Sequence, residues 1–123
     1  MGFMKKKIVE PLAFSYPRRN LCGEFATFRI GAKAAKTYQV GDVVECVDSA
    51  SKRVLVRCKV VGVYQGALSS VAGLFAHLAH NWKDYPEDQR SALLIASMKK
   101  RYPPGAVQDN RTCSVIHLLE LKE

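Results

Sequence analysis

The sequence has little with which to hold a metal. Its four cysteines, Cys22, Cys46, Cys58 and Cys113, include no closely spaced pair of the kind a zinc knuckle requires. His77 and His80 stand three apart, on one helix face, but no Glu, Asp or Cys accompanies them at ligand spacing. Neither a metal nor a cofactor is expected, and both histidines read as surface residues. Cys46 and Cys58 fall within apolar strand patterns and read as small buried hydrophobes, which points to reduced thiols and a cytoplasmic protein. No run approaches the length of a membrane span. No apolar segment follows Lys5-Lys6-Lys7, as it would in a secretory leader. Membrane association is therefore not expected, and residues 1–7 read as a disordered basic tail. Repeats and low-complexity stretches are absent too. Acidic side chains are scarce: eleven Asp and Glu against nineteen Lys and Arg leave a net charge of +8. A surplus of that size points to a polyanionic partner, nucleic acid ahead of an anionic membrane surface.

What is present is organised around Val40 to Gln65. Gly41-Asp42 is a turn signal ahead of a short apolar run, Val43 to Val47. Ser49-Ala50-Ser51 is a small connector, and Val54 to Tyr64 is a longer β run. Together they predict an antiparallel hairpin. The second arm alternates: Val54, Val56, Cys58 and Val60 on one face, Arg53, Leu55, Arg57 and Lys59 on the other, so one face is buried and the other wet and basic.

Before the hairpin, Pro11 makes the segment up to Tyr16 an edge strand or an extended lead-in, and Pro17 to Asn20 a basic loop. Phe25 to Ile30 is a short strand, with Phe25, Thr27 and Arg29 facing opposite to Ala26, Phe28 and Ile30. Gly31 to Gln39 reads equally as a helical turn or a loop. After the hairpin, Val71, Leu74, Phe75, Leu78 and Trp82 form one helical stripe, which predicts a helix over 66–84 with Ser69 or Ser70 as its cap. Asp84-Tyr85-Pro86-Glu87 fits a capping box for a second helix, whose stripe is Leu94, Ile95, Met98 and Tyr102. Pro103-Pro104-Gly105 stops it. Cys113 to Leu121 is nearly continuous apolar sequence and reads as a strand buried on both faces. The fold class is therefore α+β, a single domain over 1–123: a small curved mixed β-sheet or β-barrel with a two-helix insertion before the last strand.

This order of pieces resembles the ASCH family of PUA-like domains. The resemblance rests on Gly23 to Arg29 (GEFATFR), similar to a degenerate form of that family's G-x-K-T-x-x-x-R strand, then on VGDVVECVD, the hairpin, the two-helix insert ending at Tyr102-Pro103, and the closing CSVIHLLEL. It implies a PUA-like barrel with helices at its mouth, and RNA or a modified nucleoside bound in a cleft between them. Within the family the chain also resembles the small acetylcytidine amidohydrolases. That resemblance places Thr27 and Glu87 at two of their three catalytic positions. Their Lys has no counterpart, since Glu24 or Phe25 holds its place, and Lys33 or Lys36 would have to reach in from downstream.

Three functions follow as expectations. The first is an RNA-binding module. Arg29, Lys33, Lys36, Arg53, Arg57 and Lys59 would form one basic field for phosphates, with Tyr38 and Tyr64 offering surface for base stacking. The second is an amidohydrolase acting on an acylated nucleoside, with Thr27, Glu87 and Lys33 as its catalytic set. The third is a protein–protein adaptor whose charge is incidental.

Overall fold

The computed structural model describes residues 9–15, 20–82 and 84–122. The expected basic tail at 1–7 and most of the basic loop lie outside them. Five strands make one sheet: β1 (Leu12–Phe14), β2 (Glu24–Ile30), β3 (Val43–Asp48), β4 (Val54–Ala67) and β5 (Thr112–Glu120). Their order is β1-β3-β4-β5-β2. β1 runs parallel to β3, and all other neighbours are antiparallel. Three helices accompany them: α1 (Lys33–Thr37), α2 (Leu68–Phe75) and α3 (Glu87–Lys100).

The hairpin forms and is antiparallel, but its alternation holds only from Arg57 to Val60: Val54 is exposed, and Leu55 and Val56 are both half-buried against one cluster. The connector is closed by Asp48, whose Oδ2 accepts from the Ser51 amide at 2.7 Å, and Lys52 takes a left-handed φ of 65°. β5 then pairs with β4 on one side and β2 on the other, which explains its apolar run. Strand parity divides the interior in two. Phe25, Val44, Cys46, Cys58, Val60, Ile116 and Leu118 join Leu12, Phe14 and Tyr38 in one cluster. Ala26, Phe28, Cys113 and Val115 face the other way and pack against α2 and α3. Each fully buried large residue of these clusters contributes about 1.5–3 kcal/mol. Cys46, Cys58 and Cys113 are among the fully buried residues.

β1 and β2 stand at opposite ends of the strand order and are not hydrogen-bonded to each other. Yet the guanidinium carbon of Arg29, on β2, lies 4.8 Å from the centre of the Phe14 ring, on β1. The two ends of the sheet can meet only if it curls, and the result is a mixed half-barrel with a seam between β1 and β2.

The helical insert departs from the sequence pattern at several points. β4 runs on to Ala67, and α2 stops at Phe75, giving way to two 3₁₀ turns, Ala76–Leu78 and His80–Trp82. Ala79, between them, bridges Ala26 on the outer edge of β2. A continuous α-helix commits its backbone groups to itself and has none to offer a strand edge. Leu74, counted in the core stripe, is left 66% exposed. Neither Ser69 nor Ser70 caps α2. The Leu68 and Ser69 amides donate instead to the carbonyls of Arg111 and Asp109, at 2.8 and 2.9 Å. The capping box is not formed either: the N-cap of α3 is Pro86, so Glu87 opens the helix, and Asp84 accepts from the Asn20 side chain at 3.2 Å.

Candidate functional site

The seam between β1 and β2 holds two hollows. The smaller, about 110 Å³, is walled by Phe14 of β1, Thr27 and Arg29 of β2, His80 and Trp82 of the second 3₁₀ turn, and Ser97 and Arg101 of α3. The larger, about 270 Å³, lies toward α1, between Glu10 to Ala13 on one side and Arg29, Lys33, Thr37 and Tyr38 on the other. Ala13 and Arg29 line both. Each is below the usual range for drug-sized ligands, roughly 300–1,000 Å³.

Arg29 dominates the seam. Its alternation with Phe28 turns it to the inner side of the sheet, beside buried Thr27, whose Oγ1 accepts from Arg29 Nε at 3.3 Å. Its guanidinium packs on Phe14. Among the described residues it has no carboxylate partner. Burial lowers its pKa; Tyr38 opposes that shift and Arg101 adds to it. An arginine stays charged regardless, so the effect is felt as a cation held at a desolvation cost. Two guanidiniums, Arg29 and Arg101, thus line the smaller hollow, and among the described residues lining it there is no carboxylate.

The supporting parts follow from local sequence. Gly31 takes a φ of +94°, and buried Ser114 fastens the start of α1 by donating to the Gly31 carbonyl at 2.7 Å and accepting from the Ala35 amide at 3.2 Å. This fixes Lys33 at the larger hollow. Tyr38 is buried, and its hydroxyl donates to the Glu10 carbonyl at 2.7 Å. Burial, then the Glu10 charge, pushes its pKa up to about 12, with Arg29 opposing. His80 is wedged edge-on against Phe14 and Phe25, with ring centres 5.3 and 6.1 Å apart.

The expected residues are distributed as follows. Thr27 and Arg29 share the smaller hollow, and Lys33 lines the larger. Glu87 is exposed at the start of α3 and lines neither, and Lys36 is exposed on α1. Arg53, Arg57 and Lys59 are exposed, and the last two alternate with inward Cys58 and Val60. Arg29 therefore lies on the opposite face of the sheet from Arg57 and Lys59, and the single basic field divides in two. Arg57 is moreover paired with Glu45 at 3.1 Å. Tyr38, being buried, is no stacking surface. Tyr64 remains exposed and stacks on Phe75 with centres 4.4 Å apart. His80 is not a surface residue, as its ring contacts show. Among the described residues no cluster of three or more metal-ligating side chains occurs, and no helix is long and apolar enough to cross a membrane. The sequence does not mark His80, Trp82 or Ser97 as site residues: Trp82 has the spacing of the core stripe, and the one signal is the His80-Asn81 pair interrupting the apolar pattern.

No family model matches the chain, and no curated protein sequence does. A crystal structure of a protein from Enterococcus faecalis V583, with the family model DUF984, is similar in fold, with a TM-score of 0.54 at 14% identity over 85% of this chain. The chain spans 62% of the length of that protein.

Proposed function

We propose that this chain is an RNA-binding module with an ASCH-like, PUA-like half-barrel, and that the seam between β1 and β2 takes an unpaired nucleotide. The observation that carries the reading is Arg29: a half-buried guanidinium, stacked on Phe14 and without a carboxylate partner among the described residues, at the junction of two hollows. Folding alone gains little from such a group, because desolvating a cation costs more than one ring contact returns. A phosphate supplies the missing charge. The net charge of +8 favours the same partner. An unpaired base is matched by the aromatic walls of the smaller hollow, Phe14, His80 and Trp82. The exposed outer row of Arg53, Arg57 and Lys59 serves as a supplementary phosphate track for a longer strand. The amidohydrolase alternative asks for Glu87 beside Thr27, and Glu87 is exposed at the start of α3 and lines neither hollow.

The test is titration of a fluorescent single-stranded oligoribonucleotide against wild type and Arg29→Leu. Affinity is expected to fall about tenfold or more, as for loss of a charge-assisted contact. Thermal stability is expected to stay level or rise, since the substitution relieves the desolvation cost. Equal affinities would remove the seam from the binding site.

A further inference from the structure

The two hollows differ in chemistry. The smaller is walled by the rings of Phe14, His80 and Trp82 and by the guanidiniums of Arg29 and Arg101. The larger holds Lys33 and Glu10 beside apolar Pro11, Leu12, Ile30 and Ala34, and its hydroxyls, on Thr37 and Tyr38, already donate to the Lys33 and Glu10 carbonyls. Arg29 stands where they join. We infer that the seam binds a ribonucleotide unit in one direction, with its base in the hollow beside α3 and its phosphate in the hollow beside α1, held between Arg29 and Lys33. This rests on the RNA reading and adds to it a polarity and a phosphate site.

Three observations point the same way. The smaller hollow is sized for one planar ring and little else. Lys33, like Arg29, has no ion-pair partner among the described residues. The backbone that presents Lys33 is fixed by the two hydrogen bonds of Ser114, so the ammonium is delivered to this hollow by a rigid helix rather than a loose loop. Glu10 is the one negative group lining it among the described residues. Its carboxylate opposes a phosphate and suits a ribose hydroxyl, so its removal and that of Lys33 should act in opposite directions.

The experiment compares uridine, uridine monophosphate and an oligouridylate by calorimetry with wild type, Lys33→Gln and Glu10→Gln. Both positions are exposed, so folding is not at issue; circular dichroism confirms it. Uridine monophosphate is expected to bind wild type about fivefold or more tighter than uridine. That preference should vanish in Lys33→Gln and grow by about twofold in Glu10→Gln, while uridine itself binds wild type and Lys33→Gln alike. Equal binding of uridine and its monophosphate, or a preference that survives Lys33→Gln, overturns the polarity and leaves the RNA reading standing. Binding of the oligouridylate alone does the same, because a single unit is then not what the seam recognises. Failure of all three ligands to bind wild type overturns both.

Discussion

At the scale of single residues, the seam is a place where charge and burial are set against each other, and Tyr38 records this as a pH dependence. Its phenol is neutral in the fold, with a pKa pushed up to about 12 by burial and by Glu10. In the unfolded chain a tyrosine ionises near 10. Between those values the unfolded state gives up a proton that the folded state keeps, so stability falls as pH rises. The contribution is complete below about pH 10 and lost progressively toward pH 12. Urea denaturation across that window should show a steeper decline for wild type than for Tyr38→Phe. The variant itself should be less stable at neutral pH by about 1 kcal/mol, for the lost hydrogen bond to the Glu10 carbonyl. Parallel profiles for the two proteins would mean that the phenol is better solvated than its burial suggests. Thr27 and Arg29 could be picked out at this scale from strand parity and a family pattern. The consequence of Arg29 facing inward could not, because its neighbours Phe14 and Arg101 come from distant parts of the chain.

Among the elements, β4 shows how closely the outer face of the sheet is fitted. Gly62 lies under the Tyr64 ring, and a Cβ there would sit 2.8 Å from the ring's far atoms. Alanine at 62 gains about 0.5–1 kcal/mol of backbone entropy and displaces a ring whose stack on Phe75 is worth about 0.5–1.5 kcal/mol. Gly62→Ala should therefore change stability by less than about 1 kcal/mol. The same substitution in a Tyr64→Ala background should stabilise by about 0.5–1 kcal/mol. Chemical denaturation of the four proteins gives the cycle, and additivity would show that the ring does not rest on this glycine. The hairpin and β5 were readable at this scale because a local pattern fixes them: alternation from Arg57 to Val60 in one, an unbroken apolar run in the other. The end of α2 was not. Val71, Leu74, Phe75, Leu78 and Trp82 keep helical spacing whether or not the backbone follows it. What breaks the helix is the edge of β2, which Ala79 reaches only once the sheet exists.

For the whole molecule, the division of the cations between two faces makes binding depend on ligand length. A tetranucleotide lying in the seam cannot also cover the outer side of the hairpin. Replacing both Arg29 and Lys33 with Gln should lower the log–log salt slope for a tetranucleotide by about 1.4, at about 0.7 per contact on a single strand. Replacing Arg53, Arg57 and Lys59 should leave that slope unchanged and lower it only for longer strands. The reverse result would move the primary contact to the hairpin. The strand order also carries a consequence in time. β2 is joined to the sheet only through β5, so during synthesis this apolar strand has no partner until one made roughly eighty residues later. At about 5–20 residues per second that wait is roughly 4 to 16 s. For that interval Phe25 and Phe28 have no sheet to enter, and the growing chain is at its most exposed to aggregation and to chaperones. The last strand, which touches no ligand in the reading above, is the one that brings the binding site into being.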